Sequence, residues 1–369
     1  MPHARVISAR ELTRAYLDRQ LLLRRLPLGP VQALRKLVAA QAQYSPSPYL
    51  ALAARLEGFA IADLEACLDR GSVVKSSLMR GTLHLAAASE FPAIATVVRV
   101  DSAKQWERNW GHPDVDTATL ARGLADYLAA PRTADEIRAH GESLTGGLLP
   151  ARALLQFAKL VLPTVHIAPS GRWREHGAPG LVMWPHPLPP VSEVAGPLIR
   201  RYLAGYGPAT RADVGAFTRL SMAQVDAGLA TLPRLLRLTD EDGRDLLDLP
   251  GAPRPRDGGT PAPPRLLPKW DSALLSHADR RRILPDALRT RVINPANGDV
   301  LPTYLLDGVV AGTWQIERAG QGVVLRLRPL RPGRDHSDAL LEQEARRVAR
   351  FMEPAATHID VELDGDARG

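Results

Sequence analysis

One succession of elements, helices followed by a β-hairpin, recurs three times along this 369-residue chain and constrains its fold more than any other feature. In the first round, residues 8–71 carry apolar residues at helical spacing, and Ser8 with Glu11 predicts a capping box at the first helix start. The chain then becomes β-like, with two short strands around the turn candidate Arg80-Gly81. Helices followed by a two-stranded ribbon are the order of a winged helix-turn-helix.

The second and third rounds repeat this order without a sequence repeat of fixed period. Thr133 and Glu136 predict the capping box of the second round, which closes with two β-like runs around the basic tip of residues 171–176. The third round closes at Asp242-Gly243, a strong signal for a hairpin turn. A Pro/Gly-rich stretch then reads as a linker or long loop, and beyond it the chain alternates like a meander of strands before a late helix.

These patterns predict an α+β chain of four parts. The chain is long enough for two to four small domains and for a substantial hydrophobic core. The predicted boundaries are residues 1–110 for winged helix 1, 111–190 for winged helix 2, 191–250 for winged helix 3, and 251–369 for a linker and a C-terminal β-rich module.

The charge of the chain indicates its partner. A formal net charge of +7 and a pI near 9.8 favour a polyanion, with nucleic acid as the first candidate. Only five of the 47 basic residues are lysines, and arginine suits phosphate because its planar fork donates two parallel hydrogen bonds.

The same sequence argues against membrane and secreted classes. The longest apolar runs fall far short of a membrane span, and no apolar signal core follows the basic N-terminus. The single cysteine, Cys67, has no partner for a disulfide or a metal site. We therefore predict a cytoplasmic protein.

Two glutamines, Gln41 and Gln43, lie one residue apart where an apolar helical pattern meets two Ser-Pro pairs. The structural alternative is a polar helix end, since glutamine is not an acid, a base or a nucleophile at neutral pH. Proline disfavours helical geometry in the residue before it, so we expect the helix to end near Ala40. In the extended segment that follows, residues i and i+2 share a face, whereas inside a helix they would diverge.

Four stretches of the chain carry a family resemblance: LVAAQAQYSPSPYLALAARLEGF, SLMRGTLHLAAASEF, RYLAGYGPATRADVGAFTRL and LLPKWDSALLSHADRRRIL. They resemble the winged-helix DNA glycosylase family, which is typified by the azinomycin-resistance glycosylase and includes bacterial interstrand-crosslink glycosylases. The matching blocks follow the family order and cover nearly the whole chain. The resemblance implies three tandem winged helix-turn-helix units and a C-terminal β-barrel-like module that together form a concave DNA-binding surface.

The resemblance also implies an activity and its residues. The family's catalytic motif is Gln-apolar-Gln, or Gln-apolar-Asp in a second branch, and Gln41-Ala42-Gln43 matches the two-glutamine branch. The implied activity is that of a monofunctional DNA glycosylase that hydrolyses the N-glycosidic bond of cationic N7-alkylguanine in double-stranded DNA and leaves an abasic site. The resemblance leaves three alternatives for the lesion: a small alkyl group, a bulky natural-product adduct or an interstrand crosslink. No cofactor is implied, and we expect a bacterial, monomeric protein.

This chemistry suits an amide. An N7-alkylated guanine is already cationic and loses its charge as the bond to deoxyribose breaks, so a general acid is not needed. A glutamine carbonyl can orient water against C1′ while its NH₂ group donates to a sugar or phosphate oxygen. The alternative is a non-enzymatic winged-helix regulator or architectural protein, because winged helices are more often transcription factors than enzymes. Against that alternative, three units on one chain leave no evident dimerisation helix or effector domain.

Four further residues are candidate DNA contacts. At the first predicted wing, Arg80 would bind a phosphate and His84 would contact the lesion-bearing strand. The structural alternative is a hairpin whose histidine is hydrogen-bonded in place. Arg172 and Arg174 lie at the second wing tip, where basic side chains commonly follow a phosphate backbone, and their alternative is a solvated loop.

Asp271, His277 and Asp279 belong to the residue types that bind metal ions. Nothing else in the chain completes a ligand set with convincing spacing. We therefore predict no metal site.

Overall fold

The computed structural model of the protein describes residues 6–177, 180–255, 258–331 and 339–364. Strand β1 (Val6–Ile7) leads into helix α1 (Ala9–Arg19). The predicted capping box is present at this helix, because the Ser8 hydroxyl accepts from the Glu11 N–H and the Glu11 carboxylate accepts from the Ser8 N–H at 3.0 Å. The start of α1 is therefore set by local sequence, as expected.

The first unit arranges its elements in the order helix, strand, helix, helix, strand, strand. These elements are α2 (Pro30–Leu37), β2 (Ala40–Gln41), α3 (Ser47–Ala53), α4 (Ile61–Asp69), β3 (Val73–Ser77) and β4 (Leu83–Ala87). Strand β4 lies in the middle of the sheet and pairs antiparallel with both β2 and β3. A short 3₁₀ turn, Met79–Gly81, joins β3 to β4 where the sequence predicts a turn.

The second and third units repeat this order, with an isolated bridge in place of the first strand. The second unit follows the long helix α5 (Phe91–Trp110) and consists of α6 (Thr117–Tyr127), α7 (Ala134–Thr145), α8 (Ala151–Leu160), β5 (Thr164–His166) and β6 (Leu181–Met183). The third unit consists of α9 (Val191–Tyr206), α10 (Arg211–Thr218), α11 (Met222–Ala230), β7 (Leu236–Asp240) and β8 (Asp245–Asp248). Arg132 bridges Leu181 on β6, and Ala209 bridges Leu247 on β8. In all three units, the segment after the first helix therefore pairs with the last strand of the hairpin.

The C-terminal part is an open β-sheet covered by a helix. Its elements are β9 (Arg265–Leu267), α12 (Ser272–Leu275), α13 (Asp286–Val292), β10 (Thr303–Leu306), β11 (Val309–Ala319), β12 (Gly322–Pro329), α14 (Ala339–Met352) and β13 (Ile359–Leu363). The sheet order is β13-β12-β11-β10-β9. Among the described residues the edge strands β13 and β9 do not pair with each other, so no closed barrel is found. Helix α14 packs against β9, β12 and β13 and covers the apolar face of the open sheet. In a closed barrel that face would line the interior.

Two fully buried ion pairs fasten these parts together. Arg55, just after α3, donates to both carboxylate oxygens of Asp271 at 2.8 and 2.7 Å. Arg19, at the end of α1, binds Asp248 on β8 in the same bidentate way at 2.7 and 2.9 Å. Removing one partner of such a pair leaves a buried charge without compensation and costs about 3–5 kcal/mol. The pairs therefore hold the first unit against the C-terminal part and α1 against the third unit.

The sequence predicted the hairpins better than the helices between them. The capping box of Thr133 and Glu136 is present, and Gly243, with φ of +77°, lies in the predicted turn between β7 and β8. Helices α5 and α6 were not predicted. Helix α5 packs against α8, α9 and the 3₁₀ turn, so it is covered on several sides and lacks a one-sided apolar pattern. In the part of the chain that the structure describes, no helix is both long and apolar enough to cross a membrane.

Candidate active site

Gln41 and Gln43 lie outside the helices. Helix α2 ends at Leu37, and Val38 turns the chain away with a φ of +64°. The chain then enters β2, at the edge of the first unit's sheet, so the helix ends before the predicted Ala40. Gln41 is 6% exposed, whereas Gln43 is exposed on the surface. The two amides can converge only if the chain leaves helical geometry before Gln41, and the chain does so.

The amide oxygens of both glutamines face one turn, residues 79–83, which we call the first-unit turn. Gln41 Oε1 accepts from Arg80 Nη2 at 3.3 Å, and Gln43 Oε1 accepts from the Leu83 backbone N–H at 3.3 Å. Both partners can only donate, so the oxygens rather than the nitrogens of the amides face them. Among the described residues, neither NH₂ group has an acceptor. Each NH₂ group can therefore donate to a ligand, and each oxygen retains a lone pair for water.

Arg80 lies at the tip of the first-unit turn in a left-handed conformation, with φ of +58°, and Gly81 follows with φ of +70°. Arg80 is exposed over part of its surface and forms no ion pair with any described residue, while protein surrounds most of its guanidinium, which contacts Gln41. Desolvation by the surrounding protein, together with the charges of Arg280 and Arg219, lowers the pKa of Arg80 to about 10. Arg80 therefore remains cationic at neutral pH.

His84 is buried next to Gln41, its partner in the sheet register, and is only 2% exposed. Its Nδ1–H donates to the Thr82 carbonyl at 2.8 Å. Burial, together with the charge of Arg80, lowers the pKa of His84 to about 3, so the ring is neutral at physiological pH. In this conformation His84 offers almost no surface to a DNA strand. The geometry favours the alternative in which a hydrogen-bonded histidine fixes the hairpin beside Gln41.

The second predicted wing tip, residues 171–176, is docked against other parts of the protein, and we call it the second-unit loop. Arg172 Nη2 binds the Asp69 carboxylate at 2.6 Å, and Arg174 Nη2 binds the Glu353 carboxylate at 2.5 Å. Both arginines are therefore already compensated by acidic side chains of other elements. Their contact with DNA stays a prediction, and it requires phosphate to compete with these carboxylates.

Trp173 anchors the second-unit loop between the first unit and α14. Its ring packs edge-on against Tyr49 and Phe351, with centroids 5.3 and 5.7 Å apart. Its backbone N–H donates to Glu65 at 3.1 Å, and the Tyr49 hydroxyl donates to the Gly171 carbonyl at 2.9 Å. These contacts make the loop a joint between parts of the protein.

Asp271, His277 and Asp279 are each engaged elsewhere. Asp271 binds Arg55, the ring of His277 contacts the Ser276 hydroxyl and a backbone carbonyl, and Asp279 pairs with neighbouring arginines. Within residues 6–177, 180–255, 258–331 and 339–364, no group of three or more His, Cys, Asp or Glu side chains is placed to hold a metal ion.

Two further arginines near Arg80 were not singled out from the sequence. Arg219 ends α10, and Arg280 follows α12. The run Arg280-Arg281-Arg282 is a visible basic signal. The run by itself does not reveal which of its members lacks an acidic partner, because those partners come from distant segments.

Comparisons with known proteins show the family and the fold of the chain. A family model described as "DNA glycosylase AlkZ-like" matches residues 34–351. Among solved structures, the DNA glycosylase AlkZ of Streptomyces sahachiroi matches with a TM-score of 0.79 at 20% sequence identity, over 97% of this chain and 100% of that chain. At this identity the structural match shows a similar mixed α+β fold. No curated protein sequence matches the chain.

Proposed function

The chain belongs to the AlkZ-like DNA glycosylase family, and on this basis we propose that it hydrolyses the N-glycosidic bond of N7-alkylguanine in double-stranded DNA. Water is the nucleophile and an abasic site is the DNA product, so the enzyme is monofunctional. The observation that carries the proposal is the orientation of Gln41 and Gln43, whose oxygens are held by N–H donors while their NH₂ groups are left for a ligand. Neutral amides are poor nucleophiles, but they bind and orient water.

The leaving group removes the need for a general acid. The electron pair of the C1′–N9 bond neutralises the cationic N7-alkylguanine as the base departs, and an oxocarbenium-like sugar develops. Water adds to C1′, and its proton passes to solvent. The oxygens of Gln41 and Gln43 orient that water, and the NH₂ groups donate to sugar or phosphate oxygens. The barrier falls because the water is positioned, without proton transfer to the protein.

We also propose that the three units are winged helix-turn-helix units that bind duplex DNA. Support comes from the pairing repeated in each unit, where the segment after the first helix joins the last hairpin strand. The proposed boundaries are residues 1–110, 111–190 and 191–250, followed by residues 251–369 for the linker and the β-rich module. The net charge of +7 favours the DNA polyanion. Because one chain supplies three DNA-binding units, we propose that it acts as a monomer.

A duplex with a single N7-methylguanine tests the reaction. The purified protein should release free N7-methylguanine and leave an alkali-labile site at that nucleotide, and a second duplex with a bulky N7 adduct tests how large a substituent is accepted. Glutamine does not titrate and the pKa of His84 is about 3, so the rate should be constant between about pH 6 and 9. A bell-shaped profile would contradict the water-positioning mechanism. Binding without any base release would instead support a non-enzymatic regulator.

A further inference from the structure

Three arginines from different parts of the chain converge beside the first-unit turn. Arg80 belongs to the first unit, Arg219 ends α10 of the third unit, and Arg280 follows α12 in the C-terminal part. Helix α5 packs against both the 3₁₀ turn that carries Arg80 and helix α10, which Arg219 follows, so these residues lie on neighbouring elements although they are far apart along the chain. Desolvation first, and then the charges of Arg280 and Arg219, lowers the pKa of Arg80, which agrees with this arrangement.

Packed helices and backbone contacts hold this arginine cluster. Helix α5 packs against the 3₁₀ turn and carries Asp101, whose carboxylate binds Arg219 Nη2 at 2.5 Å. Asp213 on α10 accepts from the Ala278 N–H at 2.9 Å, which fixes the segment that leads to Arg280. The positions of the arginines are thus set by packed elements of the fold.

Arg280 and Arg80 form no ion pair with any described residue. In the same basic run as Arg280, Arg281 binds the Asp279 carboxylate at 2.7 Å and Arg282 donates to a backbone carbonyl at 2.9 Å. Arg280 forms no ion pair with a described residue, and its Nε is buried without a hydrogen-bond partner. Because the charge of Arg280 has no counter-ion among the described residues, an anion beside its guanidinium would be held by charge-assisted hydrogen bonds.

We propose that Arg80 and Arg280 bind one backbone phosphate of the DNA, next to the nucleotide that Gln41 and Gln43 face, while Arg219, whose charge Asp101 compensates, only lies beside them. The identity of this ligand rests on the proposed glycosylase function, because the phosphate belongs to the lesion-bearing strand. A guanidinium has five N–H donors, so Arg80 can hold the Gln41 oxygen with one and the phosphate with others. The phosphate orders Arg80, and Arg80 orders the Gln41 amide, so contact with the DNA backbone prepares the amide for the reaction.

Neutralising single phosphates tests this site without requiring base release. Duplexes carry a tetrahydrofuran abasic-site analogue and one methylphosphonate, moved in turn along the three phosphates on either side of it. At one position the methylphosphonate should weaken wild-type binding by about tenfold, because a charge-assisted contact is lost. In the Arg280→Ala variant the same methylphosphonate should weaken binding by less than about threefold, because the substitution has already removed the interaction that the methylphosphonate removes. The melting temperature should stay at the wild-type value, which shows that the variant is folded.

Arg281→Ala is the matched control, because Arg281 is adjacent, equally charged and already paired with Asp279. It should respond to the methylphosphonates as the wild type does. Additive losses in Arg280→Ala at every position, or an equal response of Arg281→Ala, would overturn the phosphate site. If the non-additivity is found but no N7-methylguanine is released, the site stands and the glycosylase proposal fails. If base is released but the losses are additive, the glycosylase proposal stands and the phosphate site fails.

Discussion

The first-unit turn and the second-unit loop are both basic hairpin tips, yet their arginines meet different partners. In the turn, Arg80 forms no ion pair with a described residue and contacts the uncharged amide of Gln41. In the loop, Arg172 binds Asp69 and Arg174 binds Glu353. The turn therefore presents a positive charge to an external anion, whereas the charge of the loop is compensated within the protein.

This difference shows that similar hairpins serve different purposes in one chain. The first-unit turn holds the two candidate catalytic amides, and the arginine cluster lies beside it. The second-unit loop joins the first unit to α14 through Trp173. Ion pairing, and not the number of arginines, decides how strongly each tip attracts phosphate.

Replacing Gln41 or Gln43 by alanine tests whether the amides beside the first-unit turn are catalytic. This change should have the largest effect. Each variant should slow release of N7-methylguanine by about ten- to a thousandfold in single-turnover assays, a loss of about 1.4–4 kcal/mol of transition-state stabilisation. The double variant should lose less than the sum, because both amides act on one water. Affinity for lesion DNA should change little.

Two outcomes sharpen that experiment. Gln43→Asp imitates the second branch of the family and should keep activity on small N7-alkyl lesions, because a carboxylate also orients water. Wild-type rates in both alanine variants would assign Gln41 and Gln43 a purely structural role.

Trp173→Ala tests whether the second-unit loop acts as a joint. The free energy of unfolding, measured with denaturant, should fall by about 3 kcal/mol because the ring leaves a cavity between the first unit and α14. The folded variant should still release base within about twofold of the wild-type rate, since the loop contacts the segment directly after Gln43 through His176 and not through Trp173. His176 stacks on Tyr44 and bonds Ser45. Trp173→Phe retains an aromatic ring and should lose less than about 1.5 kcal/mol. A collapse of activity in the stably folded alanine variant would place the loop in the reaction.

Arg80→Ala tests whether the uncompensated charge of the first-unit turn meets the DNA backbone. Binding to duplex DNA should weaken by about tenfold, and the slope of log affinity against log salt should flatten by about 0.9, as for one lost phosphate contact. Arg80→Lys keeps the charge and should recover most of the slope, although it lacks the planar fork. An unchanged slope in the alanine variant would mean that Arg80 serves Gln41 alone.

Replacing Arg172 and Arg174 together by alanine should have the smallest effect. Two free phosphate-binding arginines would flatten the salt slope by about 1.8, but pairs with Asp69 and Glu353 should hold the change below about 0.9. Asp69→Asn is the control, because it frees Arg172 and should strengthen DNA binding slightly. A change near the full value would show that phosphate displaces both carboxylates.

Several local features of the candidate site were predictable from neighbouring residues. The expected end of the helix before Gln41 and Gln43 is present, but Val38 causes it directly after Leu37 and the Ser-Pro pairs do not, since Ser47 already begins α3. The pattern around Arg80-Gly81 predicted a hairpin turn, and a turn is found there. Such features depend on backbone preferences over a few residues. The burial of His84 could not be predicted in this way, because it depends on elements that pack over the hairpin.

The sequence alone determined the capping boxes, the hairpin turns, the helix-then-hairpin order and the family resemblance, because these reside in neighbouring residues or in ordered blocks of residues. Tertiary structure alone decided that the C-terminal sheet is open and which arginines are compensated. Arg172 meets a carboxylate 103 positions away and Arg174 one 179 positions away, whereas Arg280 meets none among the described residues. How strongly a side chain attracts DNA depends on the electrostatic field of the charged groups that surround it in the folded protein. These groups come from distant parts of the chain, so neighbouring residues in the sequence do not reveal that field.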